Sequence, residues 1–121
     1  MSKKPLILGI ETSCDETAAS LITENEQGLP IVLSNVISSQ VEIHKKFGGV
    51  VPELAARSHM EKIDWIVQKA IDDSGRKIEE IDAVASTAGP GLIVCLSVGL
   101  SFGKTFASAL DKPFILSLIH I

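Results

Sequence analysis

Residues 6–22 constrain the fold more than any other segment. A short apolar run at residues 6–10 and a second, mostly apolar one at 17–22 flank a polar knot, Glu11-Thr12-Ser13-Cys14-Asp15-Glu16. Runs of five or six residues have the length of a strand rather than of a helix. Two of them joined by a short polar bend predict an antiparallel hairpin, with the knot at the end of the sheet. Gly28 and Pro30 punctuate the next turn, and residues 31–38, rich in Val and Ile, predict a third strand.

The pattern then changes period. Residues 40–51 read as a loop containing Lys45-Lys46 and Gly48-Gly49. Pro52 opens a helix at its first position, Glu53 complements the dipole, and Gly75 ends it. Ile63, Ile66, Val67, Ala70 and Ile71 fall on one apolar face. Burial should give each of them roughly 1.5–3 kcal/mol, so the helix must dock on something. Residues 81–87 predict a strand, Gly89-Pro90-Gly91 a tight turn, and 92–110 a second helix lined by Phe102, Phe106 and Leu110. On that helix Gly99 and Gly103 permit close approach of a neighbour. Residues 113 to about 119 complete the set as a final strand. The order β-β-β-α-β-α-β predicts an α/β fold, a mixed sheet flanked by helices. It is the pattern of a ribonuclease-H-like, actin-like ATPase domain, and a fold of itself assigns no function.

Composition narrows the class. Apolar residues make up 45% of 121, enough for one domain with a core. Net charge is -4 with the signs interspersed, which excludes a stand-alone nucleic-acid binder and leaves basic surface for RNA to come from elsewhere. Cys14 and Cys95 lie far apart behind no export segment and read as reduced thiols of a cytoplasmic protein. The longest uncharged apolar stretch, broken by Pro90 and several glycines, meets Lys104 too early to span a membrane.

Four features invite a chemical reading. The bend offers hydroxyls at Thr12 and Ser13 that suit phosphate oxygens, and carboxylates at Glu11, Asp15 and Glu16 that suit a cation or water. Three carboxylates so close repel unless solvent or a ligand spreads the charge; the plainer alternative is an exposed polar turn. Gly99-Leu100-Ser101-Phe102-Gly103-Lys104-Thr105 has three residues between its glycines where a phosphate-binding P-loop has four, and it lies inside a helix, so it is rejected as one. His44 and His59 are too far apart for an evident metal pair and read as packing or hydrogen-bonding residues. Gly89-Pro90-Gly91 reads equally as a ligand-approach turn and as a plain entry to the helix.

The motif Gly9-Ile10-Glu11-Thr12-Ser13-Cys14-Asp15-Glu16-Thr17 resembles the opening of the TsaD family. So do the blocks from His44 through Gly48-Gly49-Val50-Val51-Pro52-Glu53 to His59, Thr87-Ala88-Gly89-Pro90-Gly91-Leu92, and Lys112-Pro113-Phe114-Ile115. The resemblance implies a cytoplasmic tRNA N6-adenosine threonylcarbamoyltransferase. Such an enzyme moves threonylcarbamoyl from threonylcarbamoyl-AMP to adenosine 37, beside the anticodon. Asp15 and Glu16 would then stand at the cleft mouth as catalytic residues, and Glu11, Thr12 and Ser13 would contact the substrate. The family's divalent metal, iron or zinc, is expected on a later His-x-x-x-His pair and an Asp, so no metal ligand is assigned here. The helices at 52–75 and 92–110 would meet a paralogous partner, TsaB.

Residues 116–121 depart from the family pattern, and His120 falls one place late for the first metal histidine. The expectation is therefore an incomplete domain over 1–115, a non-native tail of sequencing origin at 116–121, and an absent second domain, giving an inactive fragment. A non-catalytic TsaB-like scaffold is the alternative. A metallopeptidase lacks its His-Glu-x-x-His helix here, and a kinase lacks its phosphate loop.

Overall fold

Every second side chain of β1 (Ile7–Glu11) is buried, and so is every second one of β2 (Glu16–Glu24). That period of two is what one covered sheet face requires. In the computed structural model, which describes residues 4–40 and 44–118, these strands join β3 (Pro30–Ser39), β4 (Ala83–Gly89) and β5 (Phe114–Leu118) in one sheet. The order is β3-β2-β1-β4-β5. β1 pairs antiparallel with β2 and β2 with β3, whereas β4 runs parallel to β1 and to β5. Each parallel pair needs a crossover, and α1 (Pro52–Ser74) and α2 (Ile93–Leu110) supply the two. The expected order of strands and long helices is the observed one, with strand ends displaced by a residue or two; beyond it, residues 44–45 are helical where a loop is expected, and a 3-10 turn spans Ile78–Glu80. Residues 119–121, His120 among them, lie outside the described residues; 116–118 form the end of β5.

Register explains where the core sits. Leu8 lies between Leu21 and Val84, and Ile10 between Ala19 and Ser86, so all these side chains share a face. Ile63, Ile66, Val67, Ala70 and Ile71 of α1 pack onto that face, and Ala107 of α2 joins them. Both helices lie there. The other face, carrying Gly9, Glu11, Ala18, Ser20, Asn35 and Ala85, is left uncovered among the described residues.

α2 is apolar enough in composition and length to cross a membrane, but here it lies over β4, β5 and β1 and against α1. Its Cys95, Gly99, Gly103 and Ala107 stripe turns to the sheet. The contact is so close that a Cβ on Gly99 would sit 2.6 Å from the Thr12 hydroxyl, and one on Gly103 would strike Ser86 and the Phe114 ring. The Gly99 N–H donates to Thr12 Oγ1 at 3.1 Å, and Thr12 O–H donates to the Cys95 carbonyl at 2.7 Å. An unbroken helix pairs those two backbone groups directly. The Thr12 hydroxyl is thus spliced into the ladder of α2.

Gly99→Ala has an unusual expected sign. In an exposed helix that change stabilises by about 1 kcal/mol. Here it should destabilise by about 1–3 kcal/mol through overpacking, and Thr12→Ala in the same chain should recover part of the loss. Urea unfolding of both variants measures this; a stabilised single variant would refute the close docking.

Candidate functional site

The hairpin puts residues 12–15 at the end of β1, where three other elements reach their backbone. The Ser13 carbonyl accepts from the Leu92 N–H at 2.8 Å, at the start of α2. The Cys14 carbonyl accepts from His59 Nε2 of α1 at 2.9 Å. The Asp15 carbonyl accepts from the Gln40 N–H at 2.9 Å, just past β3. Three successive carbonyls are therefore held by three elements. Glu11 Oε1 closes the bend from within by accepting from the Ser13 N–H at 2.6 Å. Gly91 presses on the same place, since a Cβ there would lie 2.6 Å from the Ser13 carbonyl. The Gly89-Pro90-Gly91 turn thus approaches the bend itself.

Behind the bend runs a buried polar chain whose proton positions follow from the backbone. The Val51 N–H donates to His44 Nδ1 at 3.1 Å, so the His44 proton is on Nε2 and goes to Gln40 Oε1 at 2.7 Å. The Gln40 amide nitrogen then donates to the Ala55 carbonyl and, at 3.4 Å, towards His59 Nδ1. Thr17 O–H donates to that same Nδ1 at 2.7 Å, which leaves the His59 proton on Nε2 for Cys14. Both histidines act as structural bonding residues with both ring nitrogens engaged.

The side chains of the bend diverge. Thr12 and Ser13 are buried, so the bend is not a merely exposed polar turn, and the Thr12 hydroxyl is spent on α2. Glu11 and Glu16 line a furrow of about 400 Å³ on the uncovered sheet face, beside Gly9, Ser20, Asn35 and Thr87. Asp15 borders a different, smaller cleft with His44, Lys45, Gly49 and Val50. The structure brings Glu11 and Glu16 together and turns Asp15 away from them. Burial pushes the Cys14 thiol up, reinforced by Asp15 and Glu11, which favours the protonated form over the thiolate.

No three His, Cys, Asp or Glu side chains converge among the described residues. With the ring nitrogens of His44 and His59 already bonded, these residues do not fit a metal centre.

What the sequence reading missed is the His59 clamp. Its one signal is position, since His59 precedes Ile63 and Ile66 by four and seven residues and shares their buried face. Burial holds its pKa below the usual value and Lys62 adds to this, while the Cys14 carbonyl, Glu11 and Asp15 oppose it. In the unfolded chain His59 titrates near 6.5. The contribution of His59 to stability is therefore present in full above that pH and is lost as pH falls from there through the lower folded pKa. His59→Gln, whose amide can donate to Cys14 and accept from Thr17, should remove that part of the acid sensitivity. Equal pH slopes in urea unfolding of wild type and variant would refute this.

Residues 31–118 match the TsaD family, described as tRNA N6-adenosine threonylcarbamoyltransferase. The protein of that name from Pelagibacter ubique is 75% identical over 115 residues, covering 95% of this chain and 32% of its own length. Its namesake in Brucella canis is 55% identical over 108 residues, covering 89% of this chain and 30% of the relative. The chain spans about a third of the length of these curated relatives. Among solved structures, YeaZ from Pseudomonas aeruginosa superposes with a TM-score of 0.68 at 18% identity, covering 94% of this chain and 43% of that one. That likeness shows the fold alone. The chain belongs to the TsaD family.

Proposed function

We propose that this chain is part of an enzyme that transfers threonylcarbamoyl from threonylcarbamoyl-AMP to the anticodon-adjacent adenosine of tRNA. The observation that carries the reading is the family match over residues 31–118, which includes the residues that clamp the bend from α1 and α2. In the transfer, the exocyclic amine of adenosine attacks the carbamoyl carbon. The carbon–oxygen bond to phosphate breaks, AMP leaves with the electron pair, and the amine gives up a proton. A rigid bend carrying Glu11, Asp15 and Glu16 suits the positioning of reactants and the acceptance of that proton. Carboxylates do not themselves attract a phosphate, so the adenylate needs cationic help from outside the bend. The divalent metal of the family, iron or zinc, is proposed to be that help, held by residues beyond those described. Cytoplasmic location belongs to the same reading. So does inactivity of the 121-residue chain by itself, since it spans about a third of its relatives' length.

A TsaB-like partner is proposed on the outward sides of α1 and α2. Met60, Ile63, Asp64, Ser97, Val98 and Phe102 line a groove between these helices, and Trp65 and Ile93 are exposed nearby. The scaffold alternative draws on the YeaZ likeness, which at 18% identity weighs less than 75% identity to a named transferase.

The full-length protein should restore threonylcarbamoyl-adenosine in a strain lacking it, read by mass spectrometry of tRNA nucleosides. Asp15→Asn together with Glu16→Gln should lower kcat/KM by about 10² or more. Undiminished modification by that double variant would remove the catalytic assignment and favour the scaffold.

A further inference from the structure

Loop 44–51 puts two adjacent cations beside an exposed aromatic ring. The chain has 11 Lys and Arg against 15 Asp and Glu, yet Lys45 and Lys46 stand together there, both exposed. Neither makes an ion pair among the described residues. Phe47, next to them, is 63% exposed. Leaving so much ring in water forfeits burial energy that a core position would recover.

The loop is nonetheless well held. The Phe47 N–H donates to the His44 carbonyl at 3.0 Å and the Gly48 N–H to that of Lys45 at 3.3 Å. Gly48 takes the left-handed conformation that closes the turn, with φ 73°. Buried His44 ties the loop's start to Gln40 and its end to the Val51 amide. A buried polar anchor thus presents a ring and two ammonium groups to solvent. Lys45 also shares a cleft with Asp15, which puts this tip on the rim of the clamped bend.

We infer that the tip of loop 44–51 contacts single-stranded RNA, with Phe47 stacking on an unpaired base and Lys45 and Lys46 taking adjacent phosphates. An aromatic face beside point charges is the chemistry that recognises splayed-out nucleotides, whereas paired strands offer no free base face. One nucleotide offers a base face and a phosphate side by side, so a short RNA segment engages the ring and both lysines together, whereas an acidic protein needs an apolar pocket beside its carboxylates to do the same. The acidity of the rest of the chain stands, so this tip is a local contact within a larger RNA surface supplied elsewhere. The inference rests on the transferase reading, which needs an unpaired adenosine brought to the bend.

The test uses the full-length protein and a fluorescein-labelled RNA stem-loop with an unpaired loop, beside a blunt duplex of equal length. Phe47→Ala should weaken stem-loop binding about ten-fold or more, within the range of single-base stacking. Lys45→Ala with Lys46→Ala should weaken it and make the salt dependence shallower by about 1.4 in slope, at about 0.7 per phosphate contact. Measured against Trp65→Phe as the reference, adding Phe47→Trp should bring an indole emission that the stem-loop quenches and the duplex does not. Less than two-fold loss in both alanine variants, or equal quenching by the two RNAs, would overturn the inference. Transfer assays separate it from the reading beneath it. An unchanged KM for tRNA in Phe47→Ala sinks the RNA contact and leaves the transferase, whereas loop-dependent binding with no modified product sinks the transferase and leaves the contact.

Discussion

The arrangement depends on three consecutive backbone carbonyls, Ser13, Cys14 and Asp15, each bonded to a different element. A bend between two strands ordinarily leaves such groups to water, and a loop so exposed samples many conformations. Here α2, α1 and the residue after β3 each take one carbonyl. The bend therefore has a single conformation as long as the helices stay on the sheet. Core packing sets the helices, the helices set the carbonyls, and the carbonyls fix the backbone of the bend, while β1 and β2 set the directions of Glu11 and Glu16. The order of dependence runs from burial to chemistry.

Much of this architecture was legible in the sequence, and the reason is periodicity. The switch from short apolar runs to the spacing of Ile63, Ile66, Val67, Ala70 and Ile71 announces strands and then a helix, and the structure buries those side chains. The close approach permitted by Gly99 and Gly103 was legible too, although their partners, Thr12 and Ser86, were not. The clamp escaped because its donors, at residues 40, 59 and 92, are scattered along the chain and meet only through the fold. The divergence of Asp15 from Glu16 follows a rule available from sequence, since neighbours entering a strand point to opposite faces. A resemblance transfers roles and leaves directions to be found.

The uncovered sheet face gives the furrow its character. All-parallel sheets generally have both faces covered, whereas this mixed sheet carries both of its helices on one face. Along the other face Ile7, Ile22 and Ile37 stand among Gly9, Ser20, Asn35 and Thr87, with Glu11 and Glu16 at the bend end. Small residues at Gly9, Ala18 and Ala85 keep its floor low in the middle. A covering element would meet apolar side chains there and leave the acidic end open. The furrow thus grades from a packing surface into a polar mouth.

The helices that clamp the bend also expose an apolar groove on their outer sides, where Met60, Val98 and Phe102 lie. One body seated in that groove touches both helices at once. Any shift of α2 along α1 must carry the Leu92 amide with it, and that amide has a single hold on the bend, the 2.8 Å bond to Ser13. His59 fixes the neighbouring carbonyl to α1 at the same time. Relative motion of the helices would therefore pull Ser13 and Cys14 in different directions. Because the bend cannot follow both, either it breaks a bond or the helices stay in register. An outer contact that locks the two helices together stabilises the bend by the same constraint, without reaching the carboxylates.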